Sequence, residues 1–493
     1  MTAMATIAPA PESRSGLPAW KPAELPEPPD PRGLGWLPVV GPGVITLGAA
    51  LGSGEFLLGP AAFVKHGLTL LWVVSVAAVL QTVLNTELMR YTLATGEPAT
   101  TGFMRLRPRA TFWATTYSLL FLLQVGWPAW AGTAAGAAWF LGTGRLPGVA
   151  DQAGVQWIGT GIFVACVLLL TFGRRIERTL ELLNWALVST ILVTLSVLAV
   201  WFVPGPVWRA AAAGFCGFEP GRGFVLMPAG ADMFLIGAFA GYAGLGGIGN
   251  LALTNWARDK GYGMSKVVGY IPAALGGGRV DLAATGYAFT PDATALQRWR
   301  GWWRIVRVDQ WGIFFIGALL GMALPALLYV TFIPRGTDIR GLAIAAELAR
   351  AISQTGGVLV GKLIALLGGW MLFKTQLDLL EGLVRCITDM LWTSSTRVRR
   401  CGDVRTVYYL VLALAAVWGV VALRLTQPVL LLQLGANLAS LILVLAALQI
   451  LWINTRLLPP ALRPAWWRRI GLVALAVFYG VFVVMGFGSL AGD

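Results

Sequence analysis

The chain has 493 residues, 57% of them hydrophobic and only 12% charged, with a net charge of +14 and a mean hydropathy of +0.72. That balance excludes an ordinary soluble enzyme and a disordered chain, and it indicates a polytopic membrane protein. Four scattered cysteines (Cys166, Cys216, Cys386, Cys401) lack the spacing of a disulfide or metal framework, and the single histidine, His66, excludes a His-built metal centre.

Residues 1–35 are polar and carry Pro9, Pro11, Pro18, Pro22, Pro26, Pro28, Pro29 and Pro31. They do not resemble a cleavable signal peptide, and they are expected to form a mobile, Pro-rich cytoplasmic tail. Eleven membrane-length segments follow, at 37–64, 68–94, 112–141, 155–173, 180–203, 231–256, 308–332, 357–392, 406–424, 428–454 and 467–488. Pro128 in the third and Pro325 in the seventh read as tolerated kinks.

The first segment is interrupted by Gly52-Ser53-Gly54-Glu55. Glycine costs about 1 kcal/mol relative to alanine in a helix interior, and a carboxylate at the bilayer centre costs roughly 3 kcal/mol on insertion scales. The sixth segment is interrupted in the same way by the glycine-rich run Gly241 to Gly249, followed by Asn250 and Thr254. Non-helical backbone at membrane depth survives only where it is buried in protein or lines a wet cavity, and paired interruptions in two halves point to a transporter's binding site. The candidate substrate-binding residues are therefore Gly52, Ser53, Glu55, Gly247, Gly249, Asn250 and Thr254. Glu55 and Asn250 are the candidate ligands for a metal ion, and Glu55 equally suits a proton or an amine.

Lys and Arg in the loops set the orientation. With the N-terminus in the cytoplasm, the inside loops and tail hold 25 of them and the outside loops 8. The C-terminus then lies outside, and the expected location is the cell (inner) membrane. The longest inside loop, 257–307, ends in Arg298-Trp299-Arg300-Gly301-Trp302-Trp303-Arg304, which reads as a segment in the headgroup layer rather than an RNA-binding patch. No nucleic-acid partner is expected; the lipid bilayer is.

Span eight carries Lys374, Asp378, Glu381, Arg385 and Asp389 on one helical face. Lys374 with Asp378 and Glu381 with Arg385 can pair at i,i+4, and Lys374, Asp378 and Glu381 are candidates for a proton or charge relay. Gln81, Asn85, Glu87 and Arg90 on span two invite the same reading nearer the membrane edge. His66 reads as a solvated turn residue. No HExxH, Asp-rich or Gly-x-Gly-Asp constellation supports an enzyme, no cofactor is implied, and the Gly-rich run follows a helix, unlike a phosphate loop.

Spans one and six are both broken and stand five apart. A unit with an odd number of spans inverts when repeated, so spans 1–5 (about 37–203) and 6–10 (about 231–454) read as an inverted repeat. Residues 36–460 then form the transporter core, and 466–493 add helix 11 and a short tail. Gly41-Pro42-Gly43 with its break, His66-Gly67 to Gly96-Glu97, Asn250-Leu251 with Leu253, and Leu431 to Arg456 resemble the natural-resistance-associated macrophage protein (Nramp) superfamily over most of residues 37–460.

The resemblance implies an all-α, five-plus-five inverted-repeat fold of the LeuT-like kind, with about 11 transmembrane helices, alternating access and substrate between helices 1 and 6. Members of that family move Mn²⁺ or Fe²⁺ with protons, which makes a symporter the expectation. The family's Asp-Pro-Gly-Asn falls on Gly52-Ser53-Gly54-Glu55 and its Met-Pro-His on Gly247-Ile248-Gly249, so the soft thioether is gone. Oxygen donors remain, which suit a hard cation such as Mg²⁺. An organic cation or amino acid, or a non-transporting membrane scaffold, are the alternatives. A dry, filled space between spans one and six would mark the scaffold.

Overall fold

The computed structural model describes residues 15–52, 54–172, 176–273, 280–337, 339, 344–425 and 428–492. Ser53 lies outside the described residues, and so does the Glu55 side chain. Nine helical segments among the described residues are long and apolar enough to cross a membrane. The two remaining expected spans, three and six, are each divided into two shorter helices.

The first span is α1 (Pro42–Leu51) and α2 (Gly59–His66), joined through a turn at Gly52 and a π-helical turn over Gly54–Leu58. Span two is α3 (Leu71–Thr95), and the short α4 (Ala99–Met104) follows it. Span three is α5 (Ala110–Val125) and α6 (Ala129–Thr143). Pro128 sits at the start of α6 outside helical geometry, so it marks a break there rather than the expected kink, whereas Pro325 is accommodated inside its helix. Spans four and five are α7 (Gln152–Leu169) and α8 (Ile176–Phe202), and α9 (Gly205–Gly214) lies beyond them.

The second half begins with α10 (Met233–Tyr242) and α11 (Ile248–Lys260), separated by unwound backbone. Span seven runs without a stop from α12 (Ala293–Arg307) through a π-helical stretch, Val308–Phe315, into α13 (Ile316–Phe332). After α14 (Ile344–Gly356), spans eight to eleven are α15 (Val358–Ser394), α17 (Val404–Ala422), α18 (Pro428–Arg456) and α19 (Trp466–Gly492), with the one-turn α16 (Thr396–Arg399) between the first two. A short helix stands between the second and third spans of each half, α4 in one and α14 in the other, as a repeated unit requires.

Every residue of α1 is buried, as are all of α11 from Ile248 to Asp259. A helix apolar or small-sided all round belongs in the middle of a bundle. α1 packs on α8, α11 and α15, and α10 packs on α18 and α19, so the two broken helices form the centre. They meet at their breaks. A Cβ at Gly54 would overlap the carbonyl of Tyr242, so only glycine lets the two interruptions touch.

Residues 15–32 depart from the expected mobile tail. Lys21–Pro22 pairs in parallel with Tyr287–Ala288. Arg298 donates to the Leu25 carbonyl at 2.9 Å and Trp302 to that of Pro26 at 2.8 Å. Leu17 and Leu25 are buried. The prolines fix an extended chain that α12 holds by its aromatic face, so the Arg-Trp segment is a docking platform as well as the lead-in to span seven. Arg105 bonds both Glu97 and the Pro18 carbonyl, the latter at 3.0 Å. Burial opposes the charge on Glu97, but the Arg105 guanidinium prevails and holds its carboxyl below the usual range.

Gly54→Ala is expected to force the breaks apart at a cost of about 1–3 kcal/mol, read as a lower midpoint of thermal unfolding in detergent. Gly480→Ala in the interior of α19, where a Cβ meets open space, should not lower the midpoint, because alanine favours the helix.

Candidate functional site

Freed backbone at the second break is satisfied by side chains from neighbouring spans. Gly244, Gly246 and Gly247 adopt φ of 111°, 78° and 58°, the left-handed region that other residues avoid. This turns the amides of 245, 246 and 248 sideways. The Gln81 carbonyl oxygen on α3 accepts from Leu245 at 3.0 Å and from Gly246 at 3.3 Å, and its NH₂ donates to the Ala243 carbonyl at 2.9 Å. Gln124, in the last turn of α5, accepts from Ile248 at 2.9 Å and donates to the Gly246 carbonyl at 3.2 Å. The break in span three is what ends α5 at this height and aims Gln124 at the glycines.

The first break is closed from α15. The Gly52 amide donates to the Thr375 hydroxyl at 3.1 Å, and that hydroxyl lies 3.2 Å from the carbonyls of both Gly48 and Ala49. Lys374, one residue earlier, is buried and ion-paired with Asp378. Its ammonium and the Asn184 amide crowd the α-carbon of Gly48, where a Cβ would meet both. The expected i,i+4 pair therefore exists and lies against α1.

Asn250 stands in the first turn of α11. Its NH₂ donates to Gln81 at 3.2 Å and to Asn85 at 2.8 Å, while its Oδ1 is buried with no donor among the described residues. Gly247 and Gly249 serve the turn and its tight contact with Leu245. Thr254 is committed elsewhere: its hydroxyl accepts from the Ala99 amide at 3.1 Å and donates to the Leu251 carbonyl at 2.6 Å, tying α11 to the start of α4. The one proton of the Thr254 hydroxyl is thus committed to the protein, which gives this residue a structural tie beside the binding role expected of it. His66 is buried rather than solvated, with Arg335 donating to its carbonyl at 3.2 Å.

Glu381 is separated from the breaks by its own partners. It accepts from the Trp256 indole at 2.7 Å and pairs with Arg385. Arg385 also pairs with Asp259, which pairs with Arg258, which reaches Asp389 at 2.5 Å. The expected Lys374–Asp378–Glu381 relay thus divides into a pair beside α1 and a separate network joining α11 to α15. Among the described residues no group of three or more His, Cys, Asp or Glu side chains is placed to hold a metal ion.

The sequence reading missed Gln124, Thr375, Asn184, Asp259 and, above all, Asp309 and Gln310. Asp309 and Gln310 begin the π-helical stretch of span seven and are fully buried. Asp309 accepts from the Gly41 amide at the start of α1 at 3.0 Å. The signal was available, because an ionisable residue inside a membrane-length segment is by default a functional candidate.

No protein-family model and no curated protein sequence matches the chain. Solved structures do. The manganese transporter of Eremococcus coleocola superposes with a TM-score of 0.62 at 13% identity, covering 95% of this chain and 90% of that one. The same transporter in complex with an aromatic bis-isothiourea substituted compound gives 0.59 at 13% identity, covering 95% and 90%. Mhp1, a nucleobase-cation-symport-1 family transporter, in a closed conformation with bromovinylhydantoin bound, gives 0.54 at 14% identity, covering 96% and 92%. The chain has the LeuT-like fold of these transporters. That agrees with the five-plus-five architecture and with the Nramp resemblance of its broken first helix.

Gln81→Leu is expected to leave three donors and one carbonyl at the second break without partners, at about 1–3 kcal/mol for each buried group. The check is a thermal midpoint in detergent, which should fall further than for Gln81→Glu, where the acceptor is retained.

Proposed function

We propose that the chain is a secondary transporter working by alternating access, with a small cation bound by oxygen donors where the two helix breaks meet. The observation that carries this reading is the buried Oδ1 of Asn250 in the first turn after the second break, which has no donor among the described residues. A buried acceptor without a partner costs free energy, and a cation or an N–H donor removes that cost. Glu55, on the other break, is the proposed counter-charge. The fold shared over nine-tenths of the chain with a manganese transporter and with a nucleobase-cation-symport-1 family transporter that binds a hydantoin supports the transport part of the reading.

Among the described residues the side-chain oxygens that meet the unwound backbone are the amides of Gln81 and Gln124 and the Thr375 hydroxyl, and the sequence adds the Glu55 carboxylate. Such a set suits a hard, partly hydrated ion such as Mg²⁺ over Mn²⁺ or Fe²⁺. A second reading is a protonated amine, because the neutral amides of Gln81, Asn85, Gln124 and Asn250 around the second break accept ammonium N–H groups as readily as they coordinate an ion.

Calorimetric titration of the purified protein with Mg²⁺, Mn²⁺ and methylammonium separates these readings. Mg²⁺ is expected to bind, and Glu55→Gln and Asn250→Ala should each weaken it by tenfold or more, about 1.4 kcal/mol. Heat with methylammonium alone would replace the divalent ion by an amine. Heat with none of the three would overturn a cationic cargo.

A further inference from the structure

Asn250 is one end of a continuous chain of buried amides. Its NH₂ donates to the Asn85 carbonyl oxygen at 2.8 Å, the Asn85 NH₂ donates to Gln310 at 3.0 Å, and the Gln310 NH₂ donates to Asp309 Oδ2 at 2.8 Å. Asp309 Oδ1 accepts from the Gly41 amide at 3.0 Å. All four side chains are buried. The chain links the first turn after the second break to the beginning of α1 by way of α3 and the π-helical stretch of span seven.

Every donor along it points toward Asp309, and both ends require that direction independently. An ionised carboxylate accepts only, so Gln310 must present its NH₂ to Asp309 and its oxygen to Asn85. At the far end the Gln81 oxygen is pinned by the Leu245 and Gly246 amides, so it can only accept, and Asn250 must present its NH₂ there too. The result is that Asn250 keeps its Oδ1 without a donor among the described residues.

A proton on Asp309 breaks this agreement. The carboxyl now carries an O–H donor among three groups that are themselves donors, Gln310 and the amides of Gly41 and Gly43. Gln310 can take the new hydrogen bond by turning its oxygen to Asp309, which sets its NH₂ against that of Asn85. Asn85 then turns, its NH₂ facing Asn250, and Asn250 can answer only by giving up its bond to the Gln81 oxygen and turning its Oδ1, the atom left for cargo, onto Asn85. We propose that Asp309 is a proton-binding site coupled through Gln310 and Asn85 to Asn250, so that a proton on Asp309 and cargo on Asn250 Oδ1 exclude one another. The proposal rests on the reading that cargo engages Asn250.

Few charges compete with this role. The stretch holding Asp309 packs on α1, α3, α12 and α13. α1 and α13 bring no charged side chain. On α3, Glu87 and Arg90 are paired with each other. α12 brings Arg298, Arg300, Arg304 and Arg307. Lys260 at the end of α11 and Tyr262 beyond it lie within electrostatic reach, with Lys260 held by Glu181 at 2.5 Å and 3.9 Å from Glu177, both of α8. Protons have a route. Gly41 abuts Lys260 and Glu181, and these two line a cleft of about 560 Å³ with Pro38, Glu177 and Arg178.

Infrared difference spectroscopy on acidification tests the proton site without any cargo. Wild type should show a protonated-carboxyl band that Asp309→Asn lacks and Asn85→Ala retains. Titration with Mg²⁺ and with methylammonium across pH 5 to 8 tests the coupling. In wild type the affinity of whichever binds should fall by up to tenfold per pH unit in the acid range, as one linked proton requires. In Asn85→Ala, which cuts the chain but keeps the carboxyl, that dependence should flatten. An unchanged spectrum in Asp309→Asn, or the same pH dependence in Asn85→Ala as in wild type, overturns the proposal. If neither probe binds at any pH, the cationic cargo falls and the coupling with it, while the infrared result still decides whether Asp309 binds the proton.

Discussion

Backbone that leaves a helix at membrane depth must find hydrogen bonds inside the protein, and the organisation of this bundle follows from meeting that demand twice at one place. The turn around Gly244 to Gly247 exposes amides that no helix satisfies. Gln81 from α3 and Gln124 from α5 supply the missing partners, and each does so with both ends of its side-chain amide. A hydroxyl bridges an amide and a carbonyl from a single atom, as Thr375 does at the first break, whereas the separated oxygen and NH₂ of a glutamine reach backbone groups that lie farther apart. The break in span three, set by Pro128, is part of the same solution, since a continuous helix would carry Gln124 past the glycines.

The first break is treated differently. Thr375 and the Lys374–Asp378 pair close α1 from α15, so one end of the central region is lined by neutral amides and the other by a resident ion pair. A buried pair of this kind is weak evidence for stability, because desolvation offsets much of its attraction. Its value here is positional. It fixes α15 against Gly48, where a side chain on α1 would not fit. The charged network of Glu381, Arg385, Asp259, Arg258 and Asp389 holds the far end of α11 to α15 in the same manner.

The amide chain to Asp309 gives that arrangement a direction. Amides have two distinguishable ends, so a row of them can be consistent in one sense or the other but not in both. A single ionisable group at the end of the row then selects the sense. The other end is pinned by the backbone of the second break, which makes the break and the beginning of α1 parts of one hydrogen-bonded system.

Much of this was legible in the sequence, for a physical reason. Hydrophobic length, interrupted helices and an odd repeat number are one-dimensional properties, and they determined the membrane class, the broken first and sixth spans and the inverted pairing of the halves. The i,i+4 pairs of span eight were legible too, because helical spacing fixes them locally. The tertiary structure decided which polar groups meet. Gln124, Asp309 and Gln310 lie far along the chain from Asn250 and Gly41, and nothing local in the sequence brings them together. Thr254 looked free because it follows the break by only a few residues, yet the start of α4 claims its hydroxyl. The prolines of residues 15–32 specified an extended chain, but only the aromatic face of α12 made it a docked one. Composition and periodicity set where a residue sits along an element; the partner that satisfies its hydrogen bonds is set by packing.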